Sequence, residues 1–358
     1  MDWLFRSSFD LPTTIALWSI AGAVLTTIAL FAYTIGLRLV TMSSTRRRDT
    51  FLGVWRPVFA EALLSERFAT EAELPSVSGS DSVFLLEEWN RTRDMVGGDA
   101  VDNLITLAER TRIPKLARRL LGQHRLRARI LAVQTLGHLR ERGFRDDIGQ
   151  LLDDNNAALS ITAAIALTEI DPDYAVEIVV PRISRRRDWP KTRVAQILRM
   201  CGSERISEPM YRALRSAADP DEQGYLLQFA VLVEAEVLDA LVEELLRTST
   251  DPGVLNAALK LVSGYRGVPR AAALTRHDAW FVRMQAAKVL GRVGQPEHLR
   301  LLEGLLDDRE WWVRYRAAQA ITRLPFLGPN KLREIQSRQS DPYARDMLQQ
   351  CIAEAGLA

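Results

Sequence analysis

Residues 280–293 read WFVRMQAAKVLGRV, and their apolar positions recur with helical spacing. Val282, Ala286, Ala287 and Leu290 fall on one side of a helix, and the polar residues fall on the other. The paired alanines leave room for a second helix to approach closely. From residue 311 the chain reads WWVRYRAAQAITRL, matching Trp280 with Trp311, Val282 with Val313, Arg283 with Arg314, Ala286 and Ala287 with Ala317 and Ala318, and Leu290 with Ile321. Carried along the chain at this period of 31 residues, the position of Leu290 recurs at Leu136, Leu167, Leu198, Ala230, Val262, Ile321 and Leu348, which makes about eight registers. Between them lie LLDDNN, ADPDEQ, STDPGV, GQPEH, LLDDRE and SDPYAR, breaks that start and stop helices at the same place in each unit. Each unit is therefore predicted to be a helix, a turn and a second helix. No strand-rich stretch stands out. The expected fold is an all-α solenoid in which every hairpin buries its apolar face against its neighbours.

The run Asp278-x-Trp280-x-Val282-Arg283-x-x-Ala286-Ala287-x-x-Leu290-Gly291 resembles the HEAT repeat, in the short form associated with phycobilin-lyase-like proteins. The resemblance covers roughly residues 125–355, with the two C-terminal units carrying the motif well and residues 200–260 departing from it. It implies a curved superhelix of helical hairpins, about seven to eight units within 123–358, whose usual occupation is binding other proteins. It brings no catalytic residues with it.

Residues 11–37 contain 27 consecutive positions without a charged side chain. About 20 apolar residues suffice to cross a bilayer, so a transmembrane helix is expected over 11–40, behind a short tail at 1–10. A cleaved signal peptide is the rival reading. The lack of net positive charge before the run, its length and the absence of an A-x-A site speak against it. Arg38, Arg46, Arg47 and Arg48 follow the run, whereas the tail holds Asp2, Arg6 and Asp10. The positive-inside rule then leaves the N-terminus outside and the repeats in the cytoplasm of a bacterial inner membrane. Trp3 is expected at the outer interface. Ser19, Gly22, Ala23 and Thr26 recur every three or four positions, which suits either close packing of another membrane helix or ordinary membrane-helix composition.

Residues 41–122 form a juxtamembrane helical and capping region off the repeat register. FLGVWRPVFAEALL, with Phe51, Leu52, Val54, Trp55, Val58, Phe59 and Leu63 as its apolar side, is either an interfacial amphipathic helix or the first packing layer of the body. LPSVSGSD at 74–81 is a turn-rich linker. With WRPVFAEALL, FLLEEWN, DNLITLAER and RRLL in succession, this part is similar to bacterial membrane-anchored HEAT-repeat proteins. That resemblance implies an accessory role beside a membrane glycosyltransferase of polysaccharide export.

The formal net charge is only +2, so bulk charge predicts no nucleic-acid binding. Its distribution is uneven. Eight Lys or Arg and no acid lie between Arg110 and Arg129, Arg118, Arg119, Arg125 and Arg127 among them, and a second knot spans Arg182 to Arg187. Together with Arg46, Arg47 and Arg48 the first run is a candidate surface for anionic lipid headgroups, or else a solvated helix face. Cys201 and Cys351 lie far apart in a linear array, which fits free thiols in a reducing compartment.

Candidate chemistry is sparse. His124, His138, His277 and His298 show no metal-ligand spacing, and no metal or cofactor is expected. No P-loop, G-x-S-x-G or G-x-G-x-x-G occurs. Gly97-Gly98-Asp99 reads as a turn between helices. Asp153, Asp154, Asp307 and Asp308 sit where helices begin or end and suit capping. Arg283 and Arg314 either pair with such turn acids to tie successive repeats or join Trp280, Trp311 and Trp312 in a partner-binding surface, because Trp and Arg dominate interface energetics. The sequence thus points to a non-enzymatic, membrane-anchored scaffold that positions a protein partner. An anionic-lipid-binding or sensor module is one alternative and a bilin lyase-like enzyme another.

Overall fold

The computed structural model describes residues 11–65, 73–79, 81–98 and 100–356. The expected outer tail, with Asp2, Trp3, Arg6 and Asp10, lies outside the described residues, as does Asp99. Every described helix is α or 3-10, and no strand occurs among the described residues. The chain divides into two compact units, Met1–Thr135 and Leu136–Ala358.

The first unit begins with α1 (Leu11–Leu64), followed by α2 (Ser82–Met95), α3 (Ala100–Arg110), α4 (Ile113–Leu121) and the start of α5 (Leu126–His138). The apolar run expected over 11–40 is continuous with the region after it: α1 runs through 54 residues, with Pro57 inside it. Its window Trp18–Ile35 has mean hydropathy 1.7 and none of it is buried, so it is long and apolar enough to cross a membrane. Further along, the same helix becomes core. Phe51, Leu52, Trp55, Phe59 and Ala62 are buried, with Phe51 stacked on Trp55 (ring centroids 5.7 Å) and tilted against Phe84 of α2 (6.1 Å). Of the two readings of this stretch, the packing layer is the one observed. Trp89 is fully buried and donates its indole N–H to the Leu104 carbonyl (3.0 Å), which satisfies its polar atom inside the core. Gly98, at φ +65°, makes the turn between α2 and α3.

The second unit is a stack of helical hairpins. Their first and second helices are α6 (Arg145–Gln150) with α7 (Ala157–Ile170), α8 (Pro172–Val179) with α9 (Lys191–Cys201), and α10 (Ser203–Ser216) with α11 (Pro220–Leu226). Next come α12 (Ala235–Thr248) with α13 (Pro252–Leu261), α14 (Val268–Leu274) with α15 (Trp280–Val293), α16 (Leu299–Gly304) with α17 (Trp311–Thr322), and α18 (Pro329–Arg338) with α19 (Pro342–Glu354). Second helices pack on one another from α11 to α19, and first helices do so from α8 to α14. All eight register residues, from Leu136 to Leu348, are buried at 3% exposure or less. Two of them lie beyond a helix end: Ala230 follows the short α11 in a 3-10 turn, and Val262 is the residue after α13.

Local chemistry starts these helices as the breaks predict. Asp171, Asp219, Asp251 and Asp341 each precede a proline, and each carboxylate accepts a backbone N–H of the first turn it caps, at 2.8–3.1 Å. Close approach between units comes from glycine. A Cβ on Gly291 of α15 would sit 2.6 Å from the Cα and Cβ of Ala320 in α17, and one on Gly137 would sit 2.8 Å from Ala166.

Arginines then lock the loops. Arg283 is 7% exposed. Its guanidinium donates to both carboxylate oxygens of Asp308 in the next unit (2.6 and 2.8 Å) and to the carbonyls of His277 and Asp278 (both 2.8 Å). One register on, Arg314 donates to the Asp308 carbonyl (2.7 Å), and Arg345 to the Gln339 carbonyl (3.0 Å). Gln339 stands where an aspartate would face Arg314, so the carboxylate pair occurs only at the first of these three steps. Ser160 occupies the arginine position of α7. There the guanidinium comes from Arg186, which meets the Leu152 and Asp154 carbonyls (2.8 and 2.9 Å) and the Ser160 hydroxyl. The second basic knot is therefore divided: Arg182 holds Asp153 through two bonds of 2.9 Å and Arg186 holds the loop, whereas Arg185 and Arg187 are exposed.

Three stability predictions arise from this packing. Gly291→Ala forces a methyl against the Ala320 backbone and is expected to cost about 1–3 kcal/mol, whereas Gly304→Ala, with open space around it, is expected to be neutral or slightly stabilising. Denaturation midpoints of the detergent-solubilised full chain measure the difference, and equal midpoints contradict it. Arg283→Ala strands the Asp308 carboxylate and is expected to cost about 3 kcal/mol or more. Burial opposes the charge on Asp308, yet bonds from Arg283 and from the Glu310 N–H hold its carboxyl below the usual value. A carboxylate with a depressed folded-state pKa adds stability that is complete above its unfolded pKa of about 3.9 and fades as pH falls through the folded value. Wild type is therefore expected to lose stability more steeply than Asp308→Asn below about pH 4.

Candidate partner-binding surface

The aromatic residues of the repeated motif occupy the first turns of successive second helices. Trp280 opens α15, Trp311 and Trp312 open α17, and Tyr343 is the second residue of α19. Helical side chains lean toward the N-terminus, so a first-turn side chain projects past the helix end, where no preceding turn covers it. The exposures follow: 38% for Trp280, 45% for Trp311, 51% for Trp312 and 74% for Tyr343. Trp311 packs edge-on against Trp312 (4.7 Å) and stacks on Tyr315 (5.3 Å, 5° between planes), while Trp280 meets Phe281 edge-on (5.9 Å). Phe281, Trp312 and Tyr343 are spaced by the repeat period of 31, which sets one aromatic per unit along the same edge of α15, α17 and α19. Tyr315 and Tyr343 were not singled out by the sequence. The signal for Tyr343 was its register with Trp312.

The two arginines expected with these aromatics are placed differently. Arg283 is buried in its ion pair and offers nothing to a partner, because its donors face Asp308 and two loop carbonyls. Arg314 is half-buried and spends a nitrogen on the carbonyls of Asp308 and Arg309. Arg283 ties two repeats through Asp308, Arg314 holds the loop of its own hairpin, and the surface reduces to Trp280, Trp311 and Trp312 with Tyr315 and Tyr343.

The basic residues near α1 are partly neutralised within the first unit. Arg47 pairs with Asp81 (2.8 Å), whose carboxyl is held below the usual range by hydrogen bonds from Ser78 and Arg47 against the opposing effect of burial. Arg48 (3.9 Å) and Arg127 both reach Glu87. Arg46, Arg118, Arg119 and Arg125 are exposed.

Both thiols are buried. Burial pushes Cys201 up to about 12 and Cys351 up to about 11, so neither supplies a thiolate near neutral pH. Among the described residues no three of His, Cys, Asp and Glu come together as a metal site. An open groove of about 1000 Å³ runs between α11 and α13 and is lined by Arg187, Tyr225, Gln228, Asn256 and Lys260 among others.

A family profile described as HEAT repeats matches residues 238–322, the part of the chain that holds α13, α15 and α17. No curated protein matches the chain. Among solved structures, Kap121p bound to Nup53p is similar at a TM-score of 0.53 and 14% identity, over 83% of this chain and 37% of that one. Kap121p bound to Pho4p is similar at a TM-score of 0.51 and 14% identity, over 79% of this chain and 38% of that one. The chain thus spans about two fifths of the length of these relatives, and the likeness is one of fold. The described chain is an all-α, HEAT-type solenoid preceded by one exposed apolar helix, with HEAT repeats matched over residues 238–322.

Proposed function

We propose that this protein is a single-pass scaffold of a bacterial inner membrane, whose solenoid binds a protein partner on the cytoplasmic side and positions it at the bilayer. The partner class that fits best is a membrane enzyme, with an accessory role beside a glycosyltransferase of polysaccharide export as the specific form. The observation that carries the reading is the exposed aromatic row Trp280, Trp311 and Trp312. Large aromatic side chains anchored on rigid helices and left open to solvent are the groups that contribute most to protein interfaces. Supporting it, nothing among the described residues covers the apolar window Trp18–Ile35. The similar karyopherin is seen bound to Nup53p and to Pho4p, which makes protein binding a natural use of such a fold.

Anionic lipid is the second reading, favoured by exposed Arg46, Arg118, Arg119 and Arg125 and weakened by the ion pairs of Arg47, Arg48 and Arg127. A bilin lyase-like activity gains nothing from the buried, protonated thiols.

Crosslinking of the full-length protein in its native membrane, with mass spectrometry, tests the scaffold. Alkaline extraction is expected to leave the chain in the membrane pellet, and one membrane protein is expected to crosslink to the second unit. A folded Trp311→Ala, Trp312→Ala variant is expected to lose that crosslink by about tenfold or more. Crosslinks only to lipid, or a variant that crosslinks as wild type does, contradict the proposal.

A further inference from the structure

Three consecutive second helices, α13 (PGVLNAALKL), α15 (WFVRMQAAKVLGRV) and α17 (WWVRYRAAQAIT), contain no aspartate or glutamate. They carry Lys260, Lys288, Arg292 and Arg316, and Arg323 is the residue after α17. Because these helices stack, residues one repeat apart are neighbours: Arg292 lies in register with Arg323, and Gln285 with Arg316. Lys288 and Arg292 are four apart on α15 and share a face. Lys260, Lys288, Arg292 and Arg323 are exposed, and Arg316 is half-buried.

Among the described residues none of the five pairs with a carboxylate. Arg292 donates to the Val262 carbonyl and Arg316 to the Gln319 side chain (2.7 Å), while the Arg316 Nε and the Gln285 Oε1 are buried without a partner. Burial, then the charges of Arg316, Lys260, Arg292 and Arg323, hold the Lys288 ammonium below its ordinary range. A face that served only solubility would interleave acids among its bases. The first helix α12, which packs on α13, carries Glu236, Asp239, Glu243 and Glu244 before its single Arg247 and gives the adjoining layer the opposite sign. Like charges gathered this way repel one another in the free protein, and an anionic ligand relieves the repulsion on binding.

We propose that this five-cation face recognises a short acidic segment of a protein partner. The inference rests on the protein-binding reading and adds the partner's charge to it. Stacked helices lie about 10 Å apart, so α13 to α17 spans about 20 Å, the reach of about six extended residues. Acids bound the face: Glu354 of α19 accepts the Tyr315 hydroxyl (3.1 Å), and Asp221 and Asp251 line the groove on the α11 side. That limit suits a short peptide better than a nucleic acid, whose phosphates require a long basic track. The face also joins the aromatic row, since the Arg316 guanidinium lies 5.5 Å from the Tyr315 ring, which stacks on Trp311. The expected ligand is therefore an acidic run with an aromatic or aliphatic residue beside it.

The test uses the detergent-solubilised full chain and fluorescence anisotropy with a labelled hexaglutamate–tryptophan peptide, beside its hexaglutamine counterpart. Saturable binding of the glutamate peptide alone is expected, weakening as salt rises from about 50 to about 300 mM. Lys288→Gln, Arg292→Gln and the stronger Lys288→Glu, Arg292→Glu, each checked for an unchanged thermal midpoint, are expected to weaken it about tenfold or more, and Arg118→Gln, Arg119→Gln is expected to leave it unchanged. Equal binding of both peptides, no saturable binding, or unaltered affinity in the Lys288 and Arg292 variants overturns the proposal. Tighter binding of a duplex DNA or of phosphatidylserine vesicles, lost in those variants, also overturns it by assigning the face to another class. None of these results bears on the crosslink lost with Trp311 and Trp312, so the acidic-segment proposal can fail while the scaffold stands.

Discussion

A helical hairpin has one apolar face and, in a single-layer array, only the next hairpin to bury it against. That constraint organises the second unit. It requires small residues where second helices meet, supplied by Gly291 against Ala320 and by Gly137 against Ala166. It also requires loops whose carbonyls are satisfied near the seam, which the guanidinium groups of Arg283, Arg314 and Arg345 provide at the repeat period. Once the seams are close and the loops fixed, chemically similar positions fall into rows. Those rows are where function is proposed.

Much of the array was legible because burial imposes a period on the sequence. The eight register residues are all core, and the Asp-Pro breaks are all helix caps. At residues 200–260 the pattern blurred for a physical reason: α11 is only seven residues long and α13 stops at Leu261, so Ala230 and Val262 keep their burial without keeping their helix. The N-terminal helix shows the opposite failure. Composition changes sharply after residue 37, but Arg and Ser are tolerated in helices, and α1 continues unbroken into the core around Trp55.

Side-chain roles were harder to read than backbone. Whether Arg283 served the fold or the surface depended on a carboxylate 25 residues away, which only the stacking of α15 on α17 brings within 2.6 Å. The substitution of Arg186 for the missing arginine at Ser160 has no sequence signal at all, because the two residues share no register. The five-cation face was likewise hidden. Counting charges along the chain finds dense runs such as Arg110 to Arg129, whereas Lys260, Lys288 and Arg316 stand roughly one repeat apart and become a cluster only in the fold. Dense runs, by contrast, proved partly self-neutralised, with Arg47, Arg48 and Arg127 held by Asp81 and Glu87.

The central claim is that the open edge of α15 and α17 is covered by a partner in the cell. Cysteine labelling reads this directly, since Cys201 and Cys351 are buried and protonated and leave a low background. An Asp307→Cys variant places a thiol on the exposed loop that leads to Trp311 and Trp312. The rate of maleimide labelling would be compared between the purified full chain and native membranes opened to expose both faces. The account predicts fast labelling of the purified protein and strong protection in native membranes; equal rates in both would mean that nothing sits on this surface, and would contradict it.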